Sequence, residues 1–160
     1  MSVIVKSIEV NVPVKTAYNQ WTQFEEFPRF MDGVKEVRQL DDQRLHWRAE
    51  IAGVDKEWTA KITEQIPDDR IAWTSESGEY TSGKVDFAKL GEDRTRVTLE
   101  ISYDPQGFIE NAGNAAGFVS RRIENDLEHF KEFIENRGHE SGAWRGTIRE
   151  GQKIAAVRER

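Results

Sequence analysis

The sequence predicts an α+β fold in which a curved, seven-stranded antiparallel sheet wraps around one long C-terminal helix. Three observations carry this. Apolar and polar residues alternate with period two through most of the stretch from Ile8 to Tyr103, the pattern of strands with one buried and one wet face. Near the N-terminus a short stretch of helical period interrupts that alternation. Beyond Tyr103 the period turns helical and stays so to Arg137. A one-faced sheet and a helix with one apolar stripe have to bury each other.

Each element follows from its residues. Ile8, Val10 and Val12 alternate with Ser7, Glu9 and Asn11 in the first strand. Pro13 then suits the first turn of a helix, where its missing N–H costs nothing, and Val14, Ala17, Tyr18, Trp21 and Phe24 follow at helical spacing. A second short helix spans Phe27 to Met31 and stops at the turn signal Asp32-Gly33. The next strand runs from Val34 to Leu40. Leu45, Trp47, Ala49 and Ile51 mark the following one, Trp58, Ala60 and Ile62 the next, then Ile71, Trp73 and Ser75, then Val85 and Phe87. Val97, Leu99, Ile101 and Tyr103 mark the last. Turns recur roughly every ten residues, the spacing of a meander. Phe108, Ala112, Ala116, Val119, Ile123, Leu127, Phe130 and Ile134 share one stripe of the long helix, which at about 1.5 Å per residue spans about 45 Å and crosses a whole sheet. The domain therefore covers residues 1–137. Residues 138–160, punctuated by Gly138, Gly142, Gly146 and Gly151, form an irregular arm with a short helix near Lys153 to Arg158.

Composition bounds the function. The chain has 160 residues, 37% hydrophobic and 32% charged, with a net charge of −6, no Cys and five Trp. It has no apolar run of the roughly 20 residues a membrane span needs, and MSVIVKSIEV lacks the apolar core of a signal peptide. A cytoplasmic protein is expected. The acidic balance argues against nucleic acid as partner, and the absence of Cys excludes disulfides and thiolate chemistry.

The aromatic residues point to a site. Trp47, Trp58, Trp73, Phe87 and Tyr103 fall on the apolar faces of five strands. The first half of the long helix is built of small residues instead, with Asn111, Ala112, Gly113, Asn114, Ala115, Ala116 and Gly117 in sequence, each Gly costing about 1 kcal/mol against Ala. A cavity walled by aromatics and floored by Asn111, Ala112, Ala115, Ala116 and Val119, with Ser75 at its rim, would hold an apolar ligand. Close packing of the same indoles into the small-residue stripe fits the pattern equally well.

Several segments resemble a known family. The run Trp21 to Val34, WTQFEEFPRFMDGV, is similar to the coenzyme Q-binding and polyketide cyclase/dehydrase branch of the START-like (SRPBCC, helix-grip) superfamily. So are Ile71 to Ser75, IAWTS, Gly83 to Phe87, GKVDF, and Asp126 to Ile134, DLEHFKEFI. The likeness covers residues 3–137, and Gly142 to Gly146, GAWRG, resembles the extension of a bacterial subgroup. It implies a helix-grip fold with a hydrophobic pocket between sheet and long helix. It also implies a role among lipid and sterol carriers, quinone-binding proteins, hormone receptors and aromatic polyketide cyclases.

The residues themselves assemble no catalytic set. His46 alternates with Trp47 and faces solvent, His129 sits near the C-terminal half of the helix where its dipole favours a cation, and His139 lies in the arm. No metal-ligand spacing exists among them, and no cofactor is expected. Arg48 and Arg70 belong to the wet face or a turn, and Arg121-Arg122 to a solvated helix face. The expected function is binding of a hydrophobic small molecule such as a lipid, an isoprenoid quinone or a polyketide-like compound. The alternatives are a cofactor-independent aromatic polyketide cyclase/dehydrase and an interaction module with a closed pocket. Trp144-Arg145 in the arm would fold over the pocket mouth or dock on a second copy, making a homodimer.

Overall fold

The computed structural model describes residues 2–51, 53–78, 80–104 and 115–154. In chain order these form β1 (Ser2–Val10), α1 (Val14–Trp21), a 3-10 helix (Phe24–Arg29), β2 (Val34–Gln39), β3 (Arg44–Ile51) and β4 (Val54–Ile66). Then come β5 (Arg70–Gly78), β6 (Thr81–Gly91), β7 (Arg94–Tyr103), α2 (Ala115–Arg137), β8 (Thr147–Arg149) and β9 (Gln152–Ile154). The seven expected strands form one antiparallel sheet in the order β1-β7-β6-β5-β4-β3-β2. The fold is the α+β helix-grip arrangement.

The sheet curls because its longest strand is irregular. Along β4 the register against β5 slips between Thr59 and Ala60 and again between Ile62 and Glu64. Such bulges raise the local twist. The helix lies along β1 on one side, and polar bonds fasten it there and, on the other side, to the loop before β2 and to β3. On the β1 flank Lys6 Nζ lies 2.8 Å from Glu124 Oε1. Lys131 Nζ donates to the Glu9 carbonyl at 3.0 Å, and the Asn11 N–H donates to Glu135 Oε2 at 2.7 Å. On the other side Asn125 Nδ2 donates to Asp32 Oδ2 in the loop before β2 at 3.0 Å, and Arg122 Nη1 donates to the Glu50 carbonyl of β3 at 3.2 Å.

One end of the space beneath α2 is filled with rings. Trp21 of α1 meets Phe27, Phe30 and Phe130 at centroid distances of 5.3, 5.8 and 5.3 Å. Tyr18 meets Phe87 edge-on at 5.4 Å. These tilted and edge contacts are the favoured aromatic geometries. Val119, Ile123, Leu127, Phe130 and Ile134 form the buried stripe of α2, at the spacing expected.

Residues 138–154 differ from expectation. Instead of an irregular arm ending in a helix, they carry the β8–β9 hairpin, and Lys153 and Ile154 belong to β9. The remainder of the expected helix lies outside the described residues, as does the part of the long helix from Phe108 to Asn114. The reason for the hairpin is an overhang. β4 has 13 residues and β3 has 8, and their pairing ends at Arg44 opposite Lys61. Beyond that point β8 takes the place of β3, with Ile148 opposite Gln65, and the Gly151 N–H donates to the Thr63 carbonyl at 2.8 Å. An unpaired strand edge would otherwise be left open.

The arm also satisfies two buried amides on α1. Asn19 and Gln20 are almost fully buried, and buried amides need partners. Asn19 Nδ2 donates to Glu140 at 2.7 Å, and its Oδ1 accepts from Arg145 Nη1 at 2.7 Å. Gln20 Oε1 accepts from the Ser141 N–H at 2.9 Å. The Arg145 guanidinium lies 5.6 Å over the Tyr18 ring and 2.9 Å from Asp68. Ile148, with 0% exposure, joins the core. Ile148→Ala is therefore expected to lower unfolding free energy by about 2–4 kcal/mol, whereas Ile154→Ala, at an exposed site of the same hairpin, changes it by less than about 0.5 kcal/mol. Urea denaturation of the two variants checks this, and equal effects would mean that the hairpin does not anchor the arm.

Candidate functional site

At the end of the fold away from α1, α2 does not fill the concave sheet. A cavity of about 120 Å³ remains between them, lined by Met31, Val34, Trp47, Ala49, Ile51, Trp58, Trp73, Thr81, Leu99, Ile101, Phe118, Val119, Arg122, Ile123 and Asp126. Among the described residues, close packing does not fill this interior. For scale, a dry engineered cavity of about 150 Å³ binds benzene.

Its main wall is a tier of indoles. Trp47 on β3 and Trp58 on β4 face each other across the ladder and stack at 5.8 Å with an interplanar angle of 8°. Trp73 on β5 continues the tier at 6.2 Å and 23° from Trp47. Trp73 lies flat because its cross-strand partner is Gly83. A Cβ at that glycine would sit 2.3 Å from the indole Cζ2, so any side chain there would tip the ring. The opposite wall is Val119 and Ile123 of α2.

One end of the cavity is polar. Asp126 lies on the inward stripe of α2 and is 9% exposed. Its Oδ1 is buried and finds no hydrogen-bond partner among the described residues. Burial pushes its carboxyl up to about 7; the Arg122 charge opposes the rise, the Asp32 carboxylate adds to it, and a bond from the Asp32 backbone opposes it. Arg122 beside it donates to the Glu50 carbonyl at 3.2 Å and packs its guanidinium 5.1 Å from the Phe118 centroid. The Asp32 carboxylate is held by Asn125 Nδ2 at 3.0 Å and faces His129 Nδ1 at 3.4 Å. An apolar chamber with one cation and one protonatable acid at its end can hold an amphipathic molecule by its head, or move a proton at that head.

The expected site residues divide. Trp47, Trp58, Trp73 and Val119 meet at the cavity. Phe87 packs instead on Tyr18 at the ring-filled end. Tyr103 is fully buried opposite Thr81 and Ser2 and is not on the wall. Ser75 is half-buried and accepts from the Thr81 N–H at 3.2 Å. Asn111 and Ala112 lie outside the described residues, and so do the side chains of Ala115 and Ala116. Arg122, read as part of a solvated helix face, is half-buried at the edge of the cavity, where it crosses Gly33 to bond the Glu50 carbonyl. Asp126 carried a signal: it stands between Ile123 and Phe130 at helical spacing, an acid on an apolar stripe. His46 faces outward, 3.1 Å from Glu57. Trp144 and Arg145 pack on α1 and its flanks, and neither lines the cavity. No helix among the described residues is long and apolar enough to cross a membrane.

Known proteins share this architecture. Residues 10–132 match the family model described as polyketide cyclase / dehydrase and lipid transport. An uncharacterised 17.2 kDa protein from the melC2-rnhH intergenic region of Streptomyces lincolnensis is 52% identical over 149 residues, covering 92% of this chain and 99% of its own. Among solved structures, a protein from Thermus thermophilus superposes with a TM-score of 0.72 at 19% identity, covering 85% of this chain and 99% of its own. The Zhui aromatase/cyclase of Streptomyces sp. R1128 superposes with a TM-score of 0.70 at 16% identity, covering 89% and 99%. At these identities the two structures show a common fold.

The Asp126 geometry has a pH signature. The folded chain keeps a proton that the unfolded chain releases above the ordinary value of 3.8. The stability this group contributes is therefore full below about pH 4, falls as pH rises toward about 7, and is gone above it. Asp126→Asn, a neutral isostere, should remove that slope and gain on the order of 2–4 kcal/mol relative to wild type at pH 8.5 over pH 4. Urea denaturation at the two pH values measures it; equal differences at both would show that the carboxyl titrates normally.

Proposed function

The chain belongs to the polyketide cyclase/dehydrase and lipid transport family, within the START/SRPBCC superfamily, and from that premise we propose that it binds a hydrophobic small molecule between the indole tier and α2. The observation that supports this most is the apolar void beside Trp47, Trp58 and Trp73. Filling a preformed apolar cavity gains dispersion contacts that its lining otherwise lacks. The ligand would present a ring or a short branched segment to the indoles and its oxygen-bearing end to Arg122 and Asp126. A quinone ring, a polyketide-like ring or a lipid tail meets that description. At about 120 Å³, the chamber suits one ring; longer ligands have to displace side chains, since drug-sized pockets run from about 300 Å³ upward.

A second reading, a cofactor-independent cyclase or dehydrase, is favoured by Asp126. A carboxyl lifted to about 7 is matched to proton transfer near neutral pH. In that reading Arg122 would stabilise an enolate oxygen while Asp126 exchanged a proton with the adjacent carbon or leaving hydroxyl. The Zhui protein, an aromatase/cyclase by name, has this fold.

Native mass spectrometry of the gently purified chain tests the first reading, with a bound apolar molecule as the expected result. Ala49→Leu, which grows into the void from β3, should weaken binding of a single-ring fluorophore such as methyl anthranilate at least tenfold while changing stability by no more than about 1–3 kcal/mol. Unchanged affinity would place the fluorophore elsewhere and remove the reading's support. For the second reading, Asp126→Asn should abolish turnover of a β-polyketone and leave fluorophore affinity within about threefold.

A further inference from the structure

Gly33 follows the 3-10 helix and precedes β2. Its φ lies outside the left-handed region, so its backbone would accept any L residue. Its surroundings would not. A Cβ at Gly33 would lie 1.4 Å from Arg122 Nη1, 2.4 Å from Arg122 Cζ and 3.0 Å from the Glu50 carbonyl oxygen. The strand cannot move aside, because the Glu50 N–H donates to the Gly33 carbonyl at 2.7 Å. What can move is the far end of the arginine.

Where that guanidinium sits matters. It bonds the Glu50 carbonyl at 3.2 Å and packs on Phe118 at 5.1 Å, at the exposed edge of the cavity that Arg122 and Asp126 both line. Asp32, the other acid acting on Asp126, is engaged by Asn125 and faces His129. Its side chain is 63% exposed, so solvent screens it. A guanidinium at the edge of an apolar chamber offers an anionic oxygen charge-assisted bonds.

We propose that Gly33 is a specificity-determining position: its missing side chain is the notch that seats the Arg122 guanidinium at the end of the cavity, and it thereby makes the site prefer apolar ligands ending in an anionic oxygen over the same skeletons ending in a neutral one. The ligand class is an apolar carboxylate, phenolate or enolate. The proposal rests on the binding reading above for its ligand preference, but not for the Gly33–Arg122 coupling.

The test separates the two. 4-Phenylbutyrate and 4-phenylbutan-1-ol share a skeleton and differ at the head. Isothermal titration at pH 6.5 should show that Gly33→Ala weakens the carboxylate roughly tenfold and leaves the alcohol within about threefold. Arg122→Ala should do the same, and the double variant should be no worse than either alone, since both remove one interaction. Without any ligand, carbon-13 NMR of the Asp126 carboxyl should show its midpoint moving to higher pH in Gly33→Ala and Arg122→Ala alike, as the opposing charge leaves. If Gly33→Ala leaves both the midpoint and the head-group preference as in the wild type, the proposal is wrong. If neither compound binds the wild-type chain, the binding reading and the ligand preference fall together, while the midpoint still reports the coupling. Should Gly33→Ala not fold, the double variant, which removes the colliding guanidinium, must fold; its failure too would overturn the notch.

Discussion

A single helix has to cover a sheet much wider than itself. Seven strands at roughly 4.8 Å spacing make a sheet about 29 Å across, whereas a helix with its side chains is about 10–12 Å thick. The sheet meets this by curling at the β4 bulges, with β1 along one flank of α2 and β3 and the loop before β2 bonded to the other. The Lys6, Lys131 and Asn11 contacts on one side and the Asn125 and Arg122 contacts on the other hold it there. The remaining concave volume is more than one apolar stripe can fill. Rings from α1 and the 3-10 helix take up one end. Among the described residues the other end stays partly empty, where the sheet is closed by too narrow an element.

Charge is distributed in keeping with this. The outer face carries paired side chains such as Arg44 with Glu76 and Arg70 with Glu64 and Asp86. Exposed pairs of this kind contribute little to stability, and they keep the acidic chain's charge in solvent. Arg122 and Asp126 differ because they adjoin the cavity. The buried Asp126 Oδ1, without a partner among the described residues, and the half-buried Arg122 beside it set this end of the cavity apart from the paired outer face.

Much of this was legible in the residues. Period-two alternation placed Trp47, Trp58 and Trp73 on the inner face, and the helical stripe placed Val119 opposite them. Alternation reports which face a residue occupies and not how far along the strand it sits relative to a void. That is why Phe87 and Tyr103, on the same face, lie in packed regions away from the cavity. Arg122 was illegible for a different reason: its place at the cavity edge depends on the gap at Gly33, much earlier in the chain, and on one carbonyl of β3. The β8 strand was illegible because three residues are too few to show a period. Its pairing is dictated by the surplus length of β4, a property of another part of the chain. Likewise, Asn19 and Gln20 look like ordinary solvated helix residues until the arm that bonds them is in place.

That arm has a temporal consequence. It emerges from the ribosome after every strand it covers. Until it arrives, the end of β4 is an open template for pairing, and the amides of Asn19 and Gln20 lack their eventual partners. Nascent chains in that state have the unpaired edge that makes intermediates self-associate. The arm thus closes an edge and completes the core through Ile148, so its late synthesis leaves both open for longest.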